Sequence, residues 1–185
     1  MTRPLVLIDV DGVVNALGVS LAWDDWRDGH AVADERAFPI RWSPTVVSRV
    51  LGWTEVADVQ WLTTWGHDAN TSLRHLLAMP ELTVAGTHTD PDGQQSPEAA
   101  AHAQVTPAAR DALTGRWWKF DVVRRLVQRE PGRPVVWLDD DLAGQRDVHA
   151  WMHAHTDCLL VAPDPGSGLT ADQLDAIGVF LDAQV

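Results

Sequence analysis

The stretch Ile8-Asp9-Val10-Asp11-Gly12-Val13-Val14-Asn15 is the strongest indication of the fold of this chain. It completes a short apolar run that begins at Leu5, and it places two aspartates one residue apart directly after that run. An apolar run of this length is typical of a buried strand in a parallel sheet. Ligands bind at the carboxyl ends of such strands, so Asp9 and Asp11 are predicted to lie at the rim of a site. Two carboxylates this close repel each other unless a cation or a proton separates them, which suits a nucleophile, a proton carrier and a bound Mg²⁺.

Length and composition restrict the class of protein. The 185 residues are 45% hydrophobic and 22% charged, which is ordinary for one globular domain over residues 1–185. No apolar run has the length of a membrane span, the N-terminus lacks the pattern of a signal peptide, and Cys158 is the only cysteine, so we expect a cytoplasmic protein with no membrane partner. A net charge of −12 repels polyanions, and non-specific binding to nucleic acid is therefore not expected.

Apolar runs and amphipathic segments alternate along the chain. After the first strand we predict strands over 59–62, 82–85, 135–138 and 158–161, and helices over 44–52, 70–77, 119–129, 146–155 and 170–181. This alternation predicts an α/β protein, a three-layer Rossmann-like sandwich with a mostly parallel sheet and helices on both faces. Residues 16–42 contain the turn pair Asp28-Gly29 and are predicted to form a small flap or hairpin after the first strand. Residues 87–117 are predicted to form a polar loop.

Several predicted strands end at polar side chains. These side chains are Asp9, Asp11, Thr63, Asp139 and Asp140. Because the carboxyl ends of parallel strands share one edge of a sheet, we expect them to lie close together. Lys119 is the only lysine in the chain, and it opens the helix that precedes the strand leading to Asp139. It is therefore placed to reach the same edge.

Taken in order, these residues resemble the four motifs of the haloacid dehalogenase (HAD) superfamily of phosphohydrolases. The matching segments are Asp9-Val10-Asp11-Gly12, the strand that closes with Thr63, Trp118-Lys119-Phe120-Asp121, and Leu138-Asp139-Asp140. The resemblance covers nearly the whole chain, although Val13 stands where the family often has threonine. Within the superfamily the chain is most similar to small domains of bacterial RNA-repair proteins, and more distantly to the phosphatase module of polynucleotide kinase-phosphatases. That similarity depends on Trp61-Leu62-Thr63-Thr64-Trp65 and Trp137-Leu138-Asp139-Asp140-Asp141.

The resemblance implies a catalytic role for each motif. Asp9 would attack phosphorus and form an aspartyl-phosphate, and Asp11 would protonate the leaving oxygen and later take a proton from water. Thr63 and the amide of Thr64 would bind the phosphoryl oxygens. Lys119 would neutralise negative charge on the phosphate and on Asp9.

The resemblance also implies a Mg²⁺ site. The ion would be held by Asp9, by the backbone carbonyl of Asp11 and by an acidic residue of the fourth motif. We favour Asp140 as the direct ligand, with Asp139 orienting Lys119 or a metal-bound water. The assignment within this pair of aspartates stays open at this point.

The gaps between the motifs are too short for a large separate cap domain, and an open site admits a bulky substrate. We therefore interpret the chain as a Mg²⁺-dependent phosphomonoester hydrolase that acts on the phosphorylated end of a polynucleotide. One alternative is a phosphatase of a small metabolite or nucleotide, closed by the polar loop or by a second subunit. Another is a non-catalytic phosphate-binding module of the same fold.

Four tryptophans are candidates for contact with a substrate. Trp23 and Trp26 fall in the predicted flap, and Trp117 and Trp118 lie beside Lys119. Stacking on a base or sugar is the function that such rings would serve there.

Overall fold

The computed structural model of this protein describes residues 2–18, 22–87 and 117–184. In these ranges the strands are β1 (Leu5–Ile8), β2 (Arg27–Ala33), β3 (Arg36–Trp42), β4 (Asp58–Trp61), β5 (Thr83–Val84), β6 (Val135–Leu138) and β7 (Cys158–Val161). The α-helices are α1 (Pro44–Val56), α2 (Ser72–Leu76), α3 (Trp118–Arg129), α4 (Arg146–His155) and α5 (Ala171–Asp182), and Gly66–Asn70 and Asp140–Gly144 are 3₁₀-helices. The predicted polar loop lies outside the described residues, apart from Thr87 and Trp117 at its two ends.

A parallel sheet organises the described part of the chain. Five strands form it, in the order β5-β4-β1-β6-β7. The central strand β1 lies between β4 and β6, with Ile8 level with Trp61 on one side and with Leu138 on the other. The predicted α/β fold, a Rossmann-like arrangement with a mostly parallel sheet, is confirmed.

Alternate residues of β1 pack into opposite layers. Val6 and Ile8 belong to a buried cluster with residues of α1 and α5, whereas Leu5 and Leu7 belong to a second cluster with residues of α3 and α4. Both faces of β1 are thus covered, which explains why the whole strand is apolar and buried. Asp9 continues the alternation of Leu5 and Leu7, so its side chain is directed to the layer that contains α3.

The antiparallel strands β2 and β3 form the small hairpin that was predicted after the first strand. The predicted position of its turn is wrong, because Asp28 and Gly29 lie inside β2. The turn is made by Asp34 and Glu35, whose φ angles of 47° and 61° belong to the tight turn that matches the twist of a hairpin. Asp28 lies opposite Arg41, and the carboxylate of Asp28 binds the Arg41 guanidinium at 2.7 Å. This pair favours the observed register.

Capping residues define the ends of the helices. The Ser43 hydroxyl accepts the Val46 N–H at the start of α1, and Thr170 forms a capping box at the start of α5. The helix predicted over 70–77 is wrong in its start, because a 3₁₀-helix ends at Asn70 and α2 begins only at Ser72. The Asn70 side chain binds the backbone N–H and C=O of Leu82 instead of continuing a helix. Within the described ranges, every helix is too short or too polar to cross a membrane.

Candidate active site

Three aspartates meet at the carboxyl edge of the sheet. Asp9 follows β1 and Asp139 follows β6, and the two are neighbours because the Asp9 N–H donates to the Leu138 carbonyl at 3.0 Å. Asp140 begins the next 3₁₀-helix. One carboxylate oxygen from each aspartate lies within 4.8 Å of the other two. Across residues 2–18, 22–87 and 117–184, this is the one group of histidine, cysteine or acidic side chains spaced to hold a metal ion.

Lys119 lies against two members of this group. Its Nζ donates to Asp9 Oδ2 at 2.6 Å and to Asp139 Oδ2 at 2.7 Å, and its side chain is only 3% exposed. The lysine is placed by the first turn of α3, whose apolar face packs on the sheet. Burial alone would lower the pKa of the Lys119 ammonium, but Asp9 and Asp139 outweigh burial and raise the pKa. Lys119 is therefore a fixed positive charge.

The site has more negative than positive charge. Burial raises the pKa of Asp139 to about 7, a rise that Lys119 opposes and Asp9 increases. Burial also raises the pKa of Asp140, and the charges of Asp141 and Asp9 add to that rise. A cation bound among these carboxylates would relieve their repulsion. The donor set consists of carboxylate oxygens, and it fits Mg²⁺, a hard cation that prefers oxygen ligands.

Gly12 makes room for the Asp140 carboxylate. A Cβ atom at position 12 would lie 2.5 Å from Asp140 Cγ and 2.6 Å from Asp140 Oδ2, far inside van der Waals contact. Gly12 also has a φ of 75°, in the left-handed region that favours glycine. Two physical requirements thus explain the glycine of the first motif. One is its positive φ, and the other is the space taken by Asp140, a prospective metal ligand.

The Asp11 carboxylate is held by a different set of residues. Its Oδ1 accepts a hydrogen bond from Asn15 Nδ2 at 2.7 Å, and its Oδ2 accepts one from Trp65 Nε1 at 2.9 Å. Asn15 Oδ1 accepts the backbone N–H of Arg41 in β3 at 2.8 Å. The Trp65 ring meets the Phe38 ring of β3 edge-on, with 5.6 Å between the centroids. The hairpin therefore contacts both residues that hold Asp11.

Thr63 and Thr64 follow β4 at the same edge of the sheet. The Leu62 N–H donates to the Ile8 carbonyl, so Thr63 lies just beyond the level of the first aspartate. Thr63 is buried and its Oγ1 accepts the Trp65 N–H at 3.3 Å, whereas Thr64 is exposed. The structure brings both threonines to the expected edge, and their contact with phosphate stays a prediction.

Sequence reasoning missed three residues around Asp11: Asn15 and Trp65, which bind its carboxylate, and Phe38, which contacts Trp65. Trp65 belongs to a segment that carries the family resemblance, Asn15 ends the stretch that follows the first strand, and each has a side-chain N–H to donate. Nothing in their spacing identifies Asp11 as the acceptor, because Trp65 and Asp11 are 54 positions apart. The sequence around Phe38 does not indicate a position near the site, since an aromatic residue in a strand usually packs in the core.

The structure shows the surroundings of the four tryptophans considered as substrate contacts, and their contact with a substrate stays a prediction. The Trp117 ring stacks on the buried Trp137 ring with 4.9 Å between centroids. Trp118 is buried, and Trp23 Nε1 donates to the Leu169 carbonyl at 2.8 Å. Trp26 is half-buried just before β2. The aromatic ring that contacts Asp11 is that of Trp65, and the Phe38 ring meets Trp65 from the hairpin.

Comparison with known proteins agrees with these motifs. The family described as the HAD domain in Swiss Army Knife RNA repair proteins matches residues 5–174 of the chain. No curated protein and no solved structure gives a significant match. The matched range includes every predicted site residue, from Asp9 to Asp140.

Proposed function

The chain belongs to the family of HAD domains found in Swiss Army Knife RNA repair proteins, and we propose that it is a Mg²⁺-dependent phosphomonoester hydrolase that forms an aspartyl-phosphate on Asp9. One observation carries this proposal, namely the contact of Asp9 and Asp139 with Lys119 beside Asp140 at the carboxyl edge of the sheet. This arrangement combines a nucleophile, a fixed positive charge and an oxygen donor set, which are the groups that phosphoryl transfer requires.

Two steps follow from this arrangement. A carboxylate oxygen of Asp9 attacks phosphorus while the bond from phosphorus to the leaving oxygen breaks, and Asp11 donates a proton to that oxygen. Water then attacks phosphorus as the bond to Asp9 breaks, and Asp11 takes the proton from the water. Inorganic phosphate leaves, Asp9 is again an ionised carboxylate, and Asp11 again carries the proton with which it began.

Electrostatics make the attack possible. Lys119 holds Asp9 Oδ2 at 2.6 Å, so one oxygen of the nucleophile is oriented and part of its charge is balanced. We assign Thr63 Oγ1 and the Thr64 amide to the phosphoryl oxygens, because β4 ends beside β1 and Thr63 lies one residue past the level of Asp9. Lys119 also offsets charge on the phosphoryl group as it approaches Asp9.

Mg²⁺, when bound, would offset the negative charge of the phosphoryl group and of the carboxylates around it. We assign the side chains of Asp9 and Asp140 and the backbone carbonyl of Asp11 as its protein ligands. Asp139 is fully buried and its Oδ2 contacts Lys119 Nζ at 2.7 Å, whereas Asp140 is only partly buried and its carboxylate lies in the space that Gly12 leaves. This supports Asp140 as the direct ligand, with Asp139 as the residue that orients Lys119.

The substrate we propose is the phosphorylated end of a polynucleotide. The family to which the chain belongs is named for RNA repair proteins. Phe38 supports this substrate class, because its ring is 41% exposed on the hairpin next to Trp65, and an exposed ring can stack on a base or sugar. The net charge of −12 argues for recognition of an end rather than of a long phosphate backbone.

Phosphate release from a panel of monoesters tests this function. The panel contains an aryl phosphate, mononucleotides, sugar phosphates and an oligonucleotide with a 3′-phosphate. We expect turnover that requires Mg²⁺, is highest on the oligonucleotide and disappears in Asp9→Asn. The control Asp182→Asn removes an exposed carboxylate at the end of α5 and should leave turnover unchanged.

The same panel separates the alternatives. If turnover is highest on a mononucleotide or sugar phosphate, the substrate is a small phosphate ester and not the end of a polynucleotide. Folded protein that binds Mg²⁺ but hydrolyses no member of the panel would contradict the enzymatic proposal and favour a phosphate-binding module.

A further inference from the structure

We infer that Trp65 and Asn15 are positioning residues, which orient the Asp11 carboxylate towards the leaving group in the reaction proposed above. The inference rests on that proposed function for the role of Asp11, but the hydrogen bonds themselves are features of the structure. Asp11 accepts one N–H at each carboxylate oxygen, from Asn15 Nδ2 at 2.7 Å and from Trp65 Nε1 at 2.9 Å. A carboxylate bonded at both oxygens has a defined rotation about its Cβ–Cγ bond.

The two donors are themselves fixed. The Trp65 ring is 7% exposed and belongs to the buried cluster that includes Ala31 and Leu73. Asn15 has a defined amide orientation, because the Arg41 backbone N–H can only donate and so faces the Asn15 oxygen. The Asn15 nitrogen must then face Asp11. The orientation of Asp11 is therefore set by packing of the hairpin and not by solvent.

These hydrogen bonds do not prevent Asp11 from transferring a proton in the proposed reaction. Each carboxylate oxygen has two acceptor sites, and one N–H occupies only one of them. The remaining site can carry the proton that is given to the leaving oxygen. A residue that sets the direction of this proton improves transfer without touching the substrate, since general acid catalysis depends strongly on geometry.

The dependence of catalysis on the leaving group distinguishes positioning from a structural role. An alkyl leaving group such as ribose needs a proton as it departs, whereas an aryl leaving group such as nitrophenol departs without one. The ratio kcat/KM reports formation of the aspartyl-phosphate, which is the step in which the leaving group departs. Hydrolysis of the common aspartyl-phosphate affects kcat for both esters equally.

The decisive variant is Trp65→Phe, which removes the N–H and keeps an aromatic ring under Phe38. We expect kcat/KM to fall about tenfold for an oligonucleotide 3′-phosphate and less than about twofold for nitrophenyl phosphate. Asp11→Asn should show the same preference more strongly. The matched control is Trp61→Phe, which also removes an indole hydrogen bond, to Asn70 Oδ1 at 3.3 Å, but leaves Asp11 untouched. This control should not lower kcat/KM for either ester.

An equal fall for both esters, or no fall for either, would overturn the positioning role while leaving the proposed function intact. A second measurement does not need activity. In protein labelled with ¹⁵N-tryptophan, the Trp65 indole signal is identified by its loss in Trp65→Phe, and we expect it to shift in Asp11→Asn. If that signal does not move, the hydrogen bond and the inference are both wrong. If wild-type protein hydrolyses neither ester while the signal moves, only the proposed function fails.

Discussion

The Nζ atom of Lys119 lies 2.7 Å from Asp139 Oδ2 in a pair that is almost entirely buried, with side-chain exposures of 3% and 0%. The same ammonium contacts Asp9 at 2.6 Å. Burying charges costs solvation free energy, and direct contact between opposite charges offsets that cost. The stability of this edge of the sheet and the reactivity of Asp9 therefore depend on one lysine.

Lys119→Met keeps most of the side-chain volume and removes the charge. We expect phosphate release to fall at least about a hundredfold, because the charge beside the nucleophile is lost. We also expect the free energy of unfolding without Mg²⁺ to fall by about 3–5 kcal/mol, because two buried carboxylates lose their partner. Urea unfolding in the presence of a chelator measures this change.

A double mutant checks the cause of that loss. In the Lys119→Met background, Asp139→Asn should restore part of the lost stability, since it removes one of the two unpaired carboxylates. If the losses of unfolding free energy in the two single variants add up to the loss in the double variant, Lys119 and Asp139 do not interact as the structure indicates.

Gly12→Ala tests whether the Asp140 carboxylate must lie where the structure places it. The new Cβ would overlap Asp140 Cγ at 2.5 Å, so we expect Asp140 to move, with a fall of about tenfold or more in Mg²⁺ affinity and in turnover. The matched control is Gly132→Ala, because Gly132 also has a positive φ, of 80°, but a Cβ there meets nothing within 4 Å. Both variants should lose about 1 kcal/mol of stability from backbone strain. Equal Mg²⁺ affinity in the two variants would contradict the steric role of Gly12.

Phe38→Ala tests the substrate class. If the exposed ring stacks on the end of a polynucleotide, KM for an oligonucleotide 3′-phosphate should rise about fivefold to tenfold, while KM for nitrophenyl phosphate should stay unchanged. Val32→Ala is the control, because Val32 is similarly exposed, at 45%, on the other face of the same hairpin. A rise in KM of the same size for both substrates would argue against stacking.

From the sequence, the residues at the sheet edge could be predicted more accurately than the contacts that the hairpin makes. Asp9 and Asp139 each follow an apolar strand, and the period of two along paired strands is enough to place them together. Lys119 is one residue inside a helix start, so its approach to the same edge follows from the alternation of strands and helices. The contact of Trp65 with Asp11 depends instead on how the hairpin packs, and no periodicity encodes such packing. The turn was misplaced for a similar reason, because Asp28-Gly29 has good turn chemistry but the pairing of Asp28 with Arg41 places it in a strand.

Asp25 joins the segment before the hairpin to the start of α1, and this contact predicts a dependence of stability on pH. Asp25 Oδ1 accepts the Ser43 hydroxyl at 2.6 Å, and Oδ2 accepts the Thr45 N–H and hydroxyl at 2.9 and 2.7 Å. Partial burial alone would raise the pKa of Asp25, but these hydrogen bonds outweigh burial and lower the pKa below its ordinary value of 3.8. The unfolded chain then binds a proton more readily than the folded protein in acid.

The stabilisation by Asp25 is therefore fully present above the pKa of the unfolded state and is lost as the pH falls through the pKa of the folded state. We expect Asp25→Asn to lower the free energy of unfolding by about 1 kcal/mol at neutral pH, because the charged acceptor is replaced by a weaker one. The difference from wild type should shrink as the pH falls below about 4. Urea unfolding over this pH range measures it, with Asp24→Asn at the exposed neighbouring position as the control. A difference between Asp25→Asn and wild type that stays constant down to acid pH would show that the hydrogen bonds do not depend on the charge of Asp25.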